Sequence, residues 1–252
     1  MNTPNTCTTV KPSDLAASYA AAITENPANS AASSSSRKKR GVARHTKFWA
    51  PGRTLRIAFL SGSQAFKDGV KAAASQWLPH INLKFEFVEG VEGDIRIQAG
   101  EGQYWSKIGT DALLETDGPT MEIGEWMLQP KVFAHYVMHE FGHALGAEHE
   151  HLHPEANIPW NKDAVYKAHW IPDDADEDDL RRKTVEERYF NLLDKSEVNY
   201  SAYDPKSIMH YQIYQSWTHG DFEIWLNLDL SEKDKAFMAS AYPAVDSTVE
   251  TI

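Results

Sequence analysis

Cysteine is almost absent from this chain. Cys7 is the only one in 252 residues, which excludes an internal disulfide framework and any metal cluster built on several thiolates. Long apolar runs are missing too, and no stretch approaches the ~20 residues that a helix needs to cross a bilayer. Positive charge is in deficit, with 25 Lys and Arg against 36 Asp and Glu, a net charge of −11. That balance argues against nucleic acid or an anionic membrane as partner. The opening residues (MNTPNTCTTVKPSDLAAS) have neither the basic start nor the apolar stretch of a secretory signal, so a cytoplasmic or non-classically released protein is expected. With 42% hydrophobic and 11% aromatic residues, the chain reads as a soluble globular monomer. Its length suits one catalytic unit with lobes better than two independent domains.

Composition divides the chain near residue 45. Residues 1–45 are rich in Ala, Ser, Thr and Asn, with a polar tract at Ser33 to Ser36 and a basic tetrad, Arg37-Lys38-Lys39-Arg40. So little apolar surface cannot offset the ordering entropy, and a disordered or propeptide-like tail is expected, with one short helical candidate over 14–23. The folded unit is placed at 46–245, as lobes 46–146 and 147–245, followed by a C-terminal tail at 246–252. Residues 54–60 alternate Leu55, Ile57 and Phe59 against polar neighbours, as a strand does. Residues 64–78 carry an apolar stripe at helical spacing, and 83–89 return to period two. Strand, helix, strand over this length predicts a crossover with parallel strands. Residues 94–98 and 120–124 are further strand candidates, and 100–111 reads as a Gly-bearing loop. A long helix is predicted over 131–145 with Pro130 in its first turn. A helical candidate lies near 185–195, and an amphipathic helix over 231–241 with Ser231 as N-cap and Asp234 in the capping-box position closes the unit.

The chemistry is concentrated in His139-Glu140-Phe141-Gly142-His143-Ala144-Leu145-Gly146-Ala147-Glu148-His149. His139 and His143 stand four apart, so their imidazoles leave one helix face together and can hold one metal ion. His149, six further on, points away unless the helix ends and the chain turns, which Gly146 permits. Three neutral imidazoles with an open fourth position define a catalytic Zn²⁺ site. Glu140, beside the first ligand, is placed to take a proton from water. Gly142 costs ~1 kcal/mol against Ala in a helix interior, which suggests close packing there.

Some sixty residues later comes Tyr203-Asp204-Pro205-Lys206-Ser207-Ile208-Met209-His210-Tyr211. With the histidine motif it resembles the metzincin metalloproteases, in which a methionine-bearing turn lies beneath the zinc ligands. Glu150 directly after the third histidine, and the wording Ser-Ile-Met-His-Tyr, are similar to the astacin family of that clan rather than to matrixins or serralysins. Segments 47–60, 105–111, 149–160 and 230–243 resemble astacin-type domains of microbial proteins. The resemblance implies an α+β catalytic domain: a mixed twisted sheet with two long helices in the N-terminal lobe, the zinc helix at the cleft floor, and an irregular, partly helical C-terminal lobe. It implies a zinc endopeptidase acting on proteins or peptides with one catalytic Zn²⁺. Met209 would form the floor and Tyr211 would be a fifth ligand at rest and an oxyanion donor in turnover. Thr120, Met121, Glu122, Ile123 and Gly124 would be the rim strand that pairs with substrate. The alternative is an inactive zinc-binding homologue serving as an interaction module.

The remaining candidates are read as bystanders. His135, His151 and His153 are taken as residues flanking the site, and His210 as facing away from Tyr211. The acidic run Asp173 to Asp179 lacks the glycine and spaced ligands of a calcium loop and is taken as a solvated surface. Cys7, in a polar tail, is taken as inert rather than as a thiolate block of the zinc.

Overall fold

The computed structural model describes residues 7–30, 46–125, 129–172, 179–194 and 201–244. The expectation of disorder over 1–45 does not hold for 7–30. There Thr8–Val10 form strand β1, Leu15–Glu25 helix α1, and Pro27–Asn29 a 3-10 turn. Asp14 caps α1 by accepting from Ala16 and Ala17 N–H. Ordering is offset by small and polar residues that leave water almost completely: Cys7, Ser18, Ala22 and Asn29 are at most 3% exposed. Hydropathy misses such burial because the gain comes from hydrogen bonds and close fit rather than apolar area. The basic tetrad, Asp173 to Asp178, Lys195 and the tail 246–252 lie outside the described residues.

From Lys47 onward the periodicities become the elements they predict. Strand β2 (Thr54–Phe59) leads to helix α2 (Gln64–Ala74), capped by Ser63 and extended by a 3-10 segment to His80. Strand β3 (Lys84–Glu89) then returns parallel to β2, with Leu55 opposite Phe85 and Ile57 opposite Phe87, as the crossover requires. Strand β4 (Ile95–Gly100) pairs with the other edge of β2. The predicted Gly-bearing loop contains a strand after all, β5 (Tyr104–Lys107), where the polar alternation is too short to register. Strand β6 (Met121–Gly124) is parallel to β4 and antiparallel to β5. The sheet order is β1-β5-β6-β4-β2-β3.

Helix α3 (Pro130–Ala144) starts on Pro130 and packs against α2 and the β5–β6 edge of the sheet. Its last carbonyls are not left orphaned: Trp49 Nε1 donates to Ala144 O at 2.8 Å and the Tyr242 hydroxyl to Leu145 O at 2.7 Å. The C-terminal lobe carries α4 (Lys162–Ala168), α5 (Leu180–Tyr189) and α6 (Glu232–Ala241) among irregular segments. Helix α5 lies several residues ahead of the predicted 185–195, because Asp179, the end of the acidic run, supplies its N-cap. The capping box of Ser231 and Asp234 on α6 is present. Among the described residues no helix is long and apolar enough to cross a membrane.

Candidate metal centre

Helix α3 buries its histidine face. His139, Glu140 and His143 are at most 2% exposed and His149 is 5% exposed. After α3 the chain reverses at Gly146, whose φ of +99° is favoured only for glycine, and this brings His149 back to the pair. His143 Nε2 and His149 Nε2 stand 3.1 Å apart, close to the ~3.3 Å that two nitrogens keep around one tetrahedral zinc. The other ring nitrogens are fixed by backbone carbonyls. His139 Nδ1 donates to Ile208 O at 2.7 Å and His143 Nδ1 to Ala147 O at 2.8 Å, which leaves each Nε2 lone pair facing inward. His139 Nε2 is buried without a hydrogen-bond partner among the described residues. Burial pushes all three imidazoles down, His143 to about 4, so they stay neutral as metal ligands must.

The fourth group of this cluster is Cys7. Its sulfur and the three histidine nitrogens all lie within 4.8 Å of one another. A lone cysteine in a polar tail thus stands where the open position of a catalytic zinc belongs, which overturns its reading as inert. Burial, then the neighbouring Glu140, push the thiol well up, whereas a divalent cation deprotonates a coordinating thiol outright. The donor set, three neutral imidazoles and one sulfur around an orphaned nitrogen, fits Zn²⁺.

Glu140 faces the same space. Apart from the nearby Cys7 thiol, neither carboxylate oxygen has a hydrogen-bond partner among the described residues, and burial raises the carboxyl to about 8. Beneath the ligands, a Cβ on Gly142 would collide with Met209 Sδ, so the missing side chain is what lets the helix settle on the methionine turn. Asp234 holds that turn by accepting from Ser207 Oγ at 2.6 Å and Ile208 N at 2.8 Å. Glu150 donates its N–H to Met209 O at 3.0 Å and accepts from Asp204 N at 2.6 Å. Tyr211 sets its ring edge-on to His149 at 4.4 Å, and its hydroxyl donates to the Cys7 carbonyl. His135 is tied to Asn227 O, His153 to Ser201 O and His210 to Tyr203, so none joins the cluster.

One expected element is misplaced. β6 is flanked by β4 and β5 and has no free edge for a substrate. Thr120 is spent on Arg96 N, and Met121 and Ile123 are wholly buried in the core; Glu122 and Gly124 pair within the sheet. Strand β5, which the prediction leaves as loop, lies beyond β6 toward the edge of the sheet. Its outer edge is taken by β1 in parallel register, Thr8 opposite Trp105 and Val10 opposite Lys107.

A buried three-histidine metal site with an adjacent glutamate, on the floor below a sheet edge, defines a metal-dependent hydrolase. The model of the astacin peptidase family matches residues 41–224, and the chain belongs to that family of zinc metalloendopeptidases. A structure of myroilysin is 35% identical with a TM-score of 0.71, covering 79% of this chain and 97% of that one. A crystal structure of myroilysin is 30% identical with a TM-score of 0.64 and covers 95% of this chain and 91% of that one, so the likeness reaches into the N-terminal segment. High choriolytic enzyme 1, a hatching enzyme zinc-protease from the medaka fish Oryzias latipes, shares the fold at 18% identity, with a TM-score of 0.55 and coverage of 79% and 96%. No curated protein matches.

Proposed function

We propose that this chain is a zinc endopeptidase whose centre is held closed by its own N-terminal segment. The observation that carries this reading is the fourfold cluster of His139, His143, His149 and Cys7. When bound there, zinc supplies a Lewis acid that polarises the scissile carbonyl and lowers the pKa of water. With Cys7 withdrawn, Glu140 would regain solvent and, with zinc held by His139, His143 and His149, a cation beside it, both of which favour its carboxylate form. Glu140 then accepts a proton from the attacking water and passes it to the leaving amine. Tyr211, released from the Cys7 carbonyl, can donate its phenol to the oxyanion. An extended substrate would pair with the outer edge of β5, the edge that β1 holds in the closed form. Every group comes from one chain, so a monomer suffices.

Replacing Glu140 by Gln keeps the size of the side chain and removes the base. In protein freed of its N-terminal block, cleavage of denatured casein should fall by about 10²–10⁴ while bound zinc, measured by atomic absorption, is retained. A Glu140→Gln protein that cleaves at the unsubstituted rate would overturn the mechanism. Loss of zinc instead would assign Glu140 to the metal.

A further inference from the structure

One buried histidine beside the centre has no part in that mechanism. His151 has no solvent exposure and is not in the ligand cluster. Its ring lies flat against Tyr211, with centroids 4.1 Å apart and planes 21° from parallel. Nε2 stands 2.7 Å from Arg188 O near the end of α5. A carbonyl only accepts, so Nε2 carries the hydrogen. The other ring nitrogen, Nδ1, is buried and has no hydrogen-bond partner among the described residues. A phenyl ring would fill the space without an orphaned nitrogen, so packing alone does not account for an imidazole here. Its hydrogen bond does: it pins the ring plane from the edge remote from the site. Tyr211 thereby has a flat face to rest on, with the ring of His149 set edge-on beside it. The motion that this face permits is a slide in the ring's own plane.

We propose that His151 is a positioning residue, a fixed shelf along which Tyr211 moves from the Cys7 carbonyl to the place where the substrate oxyanion forms. This rests on the reading of Tyr211 as oxyanion donor. Stacked contact tolerates such a slide because dispersion falls gradually with offset, whereas a hydrogen bond to the phenol would lock it.

The test uses the full chain carrying Cys7→Ala. His151→Ala should lower kcat by about five- to tenfold, the range an aromatic pair is worth, with KM and zinc content unchanged. His151→Phe, which keeps the face, should recover most of the loss. His151→Gln, which keeps a donor for the Arg188 carbonyl but not the face, should not, and the reverse order overturns the shelf. In a Tyr211→Phe background His151→Ala should cost nothing further; the same loss there means that His151 does not act through the phenol. Should Tyr211→Phe alone leave kcat intact, the oxyanion reading fails and the shelf is decided by crystallography. The His151→Ala protein with Cys7 intact should show Tyr211 displaced and its bond to the Cys7 carbonyl gone. A tyrosine ring that has not moved refutes the proposal.

Discussion

Removing the sulfur of Cys7 tests the closed state directly. In a Cys7→Ala protein, β1 is held on β5 by a ladder of three residue pairs and by the Tyr211 bond to the residue 7 carbonyl, with an exposed Lys11–Glu187 pair beside them. At about 1 kcal/mol net for each hydrogen bond, these contacts supply roughly 3 kcal/mol. Ordering three or four residues costs about 1–2 kcal/mol each, so the strand is near balance and should be open in a substantial fraction of molecules. The thiolate changes this. Taking a charge-assisted hydrogen bond, about 1.5–3 kcal/mol, as a floor for sulfur on a divalent cation gives a closed state favoured by at least ten- to a hundredfold. Full-length Cys7→Ala should therefore exceed the parent chain by that factor in hydrolysis of an internally quenched peptide library, at equal zinc content. Two readouts do not depend on turnover. Cobalt-loaded parent protein should show a sulfur-to-metal charge-transfer band that the variant lacks, and Cys7 should react with iodoacetamide only after chelation. Equal activities at equal zinc, or alkylation at one rate with and without metal, would refute the latch.

Two further outcomes follow from the geometry around the zinc helix. Gly146→Ala forces a side chain into φ +99° and against the ring of Phe48. It should cost about 1–3 kcal/mol in urea unfolding and weaken zinc binding because His149 lies beyond that turn; unchanged values of both would contradict the role given to Gly146. His135 is 3% exposed and its pKa is lowered by burial from 6.5 to about 4. The unfolded chain therefore binds this proton first, and its contribution to stability is lost as pH falls from about 6.5 to about 4. Comparison with His135→Asn, which retains a donor for Asn227 O, should show the parent's advantage shrinking by roughly 1 kcal/mol per pH unit across that window. A pH-independent difference would mean that His135 is not buried neutral.

What could be foreseen from the residues, and what could not, divides by the range of the interactions. The ligand spacing of His139, His143 and His149, the turn at Gly146 and the close approach at Gly142 are encoded within a few residues, and the structure has all of them. The β2–α2–β3 crossover was equally plain, because its apolar periods are long. The part played by Cys7 was hidden because it depends on contacts more than a hundred residues away, and little in its neighbourhood in sequence is apolar. The wrong rim strand has a related cause. β5 and β6 are both four residues long, and only the pairing order tells which of them lies inside the sheet and which meets the N-terminal strand β1. Length, not composition, was the missing signal. His151 was dismissed because a histidine in a loop announces nothing until its neighbours are known.

Asn29 gives the N-terminal segment a property that the metal centre alone would not. Its side-chain amide accepts from Phe48 N at 3.0 Å and donates to Phe48 O at 2.7 Å, as a neighbouring strand would, while Asn26 holds Trp49 O and Glu25 pairs with Arg53. Residues 29 and 48 are thus stapled together, and the basic tetrad at 37–40 falls between them in sequence. A cut at the tetrad severs the tether and leaves the staple in place. What it removes is effective concentration, which for a short link is of roughly millimolar order. Before the cut, closure is a property of the single molecule, indifferent to how many copies surround it. Afterwards it becomes a binding equilibrium between two chains, and escape from inhibition is governed by dilution as much as by proteolysis.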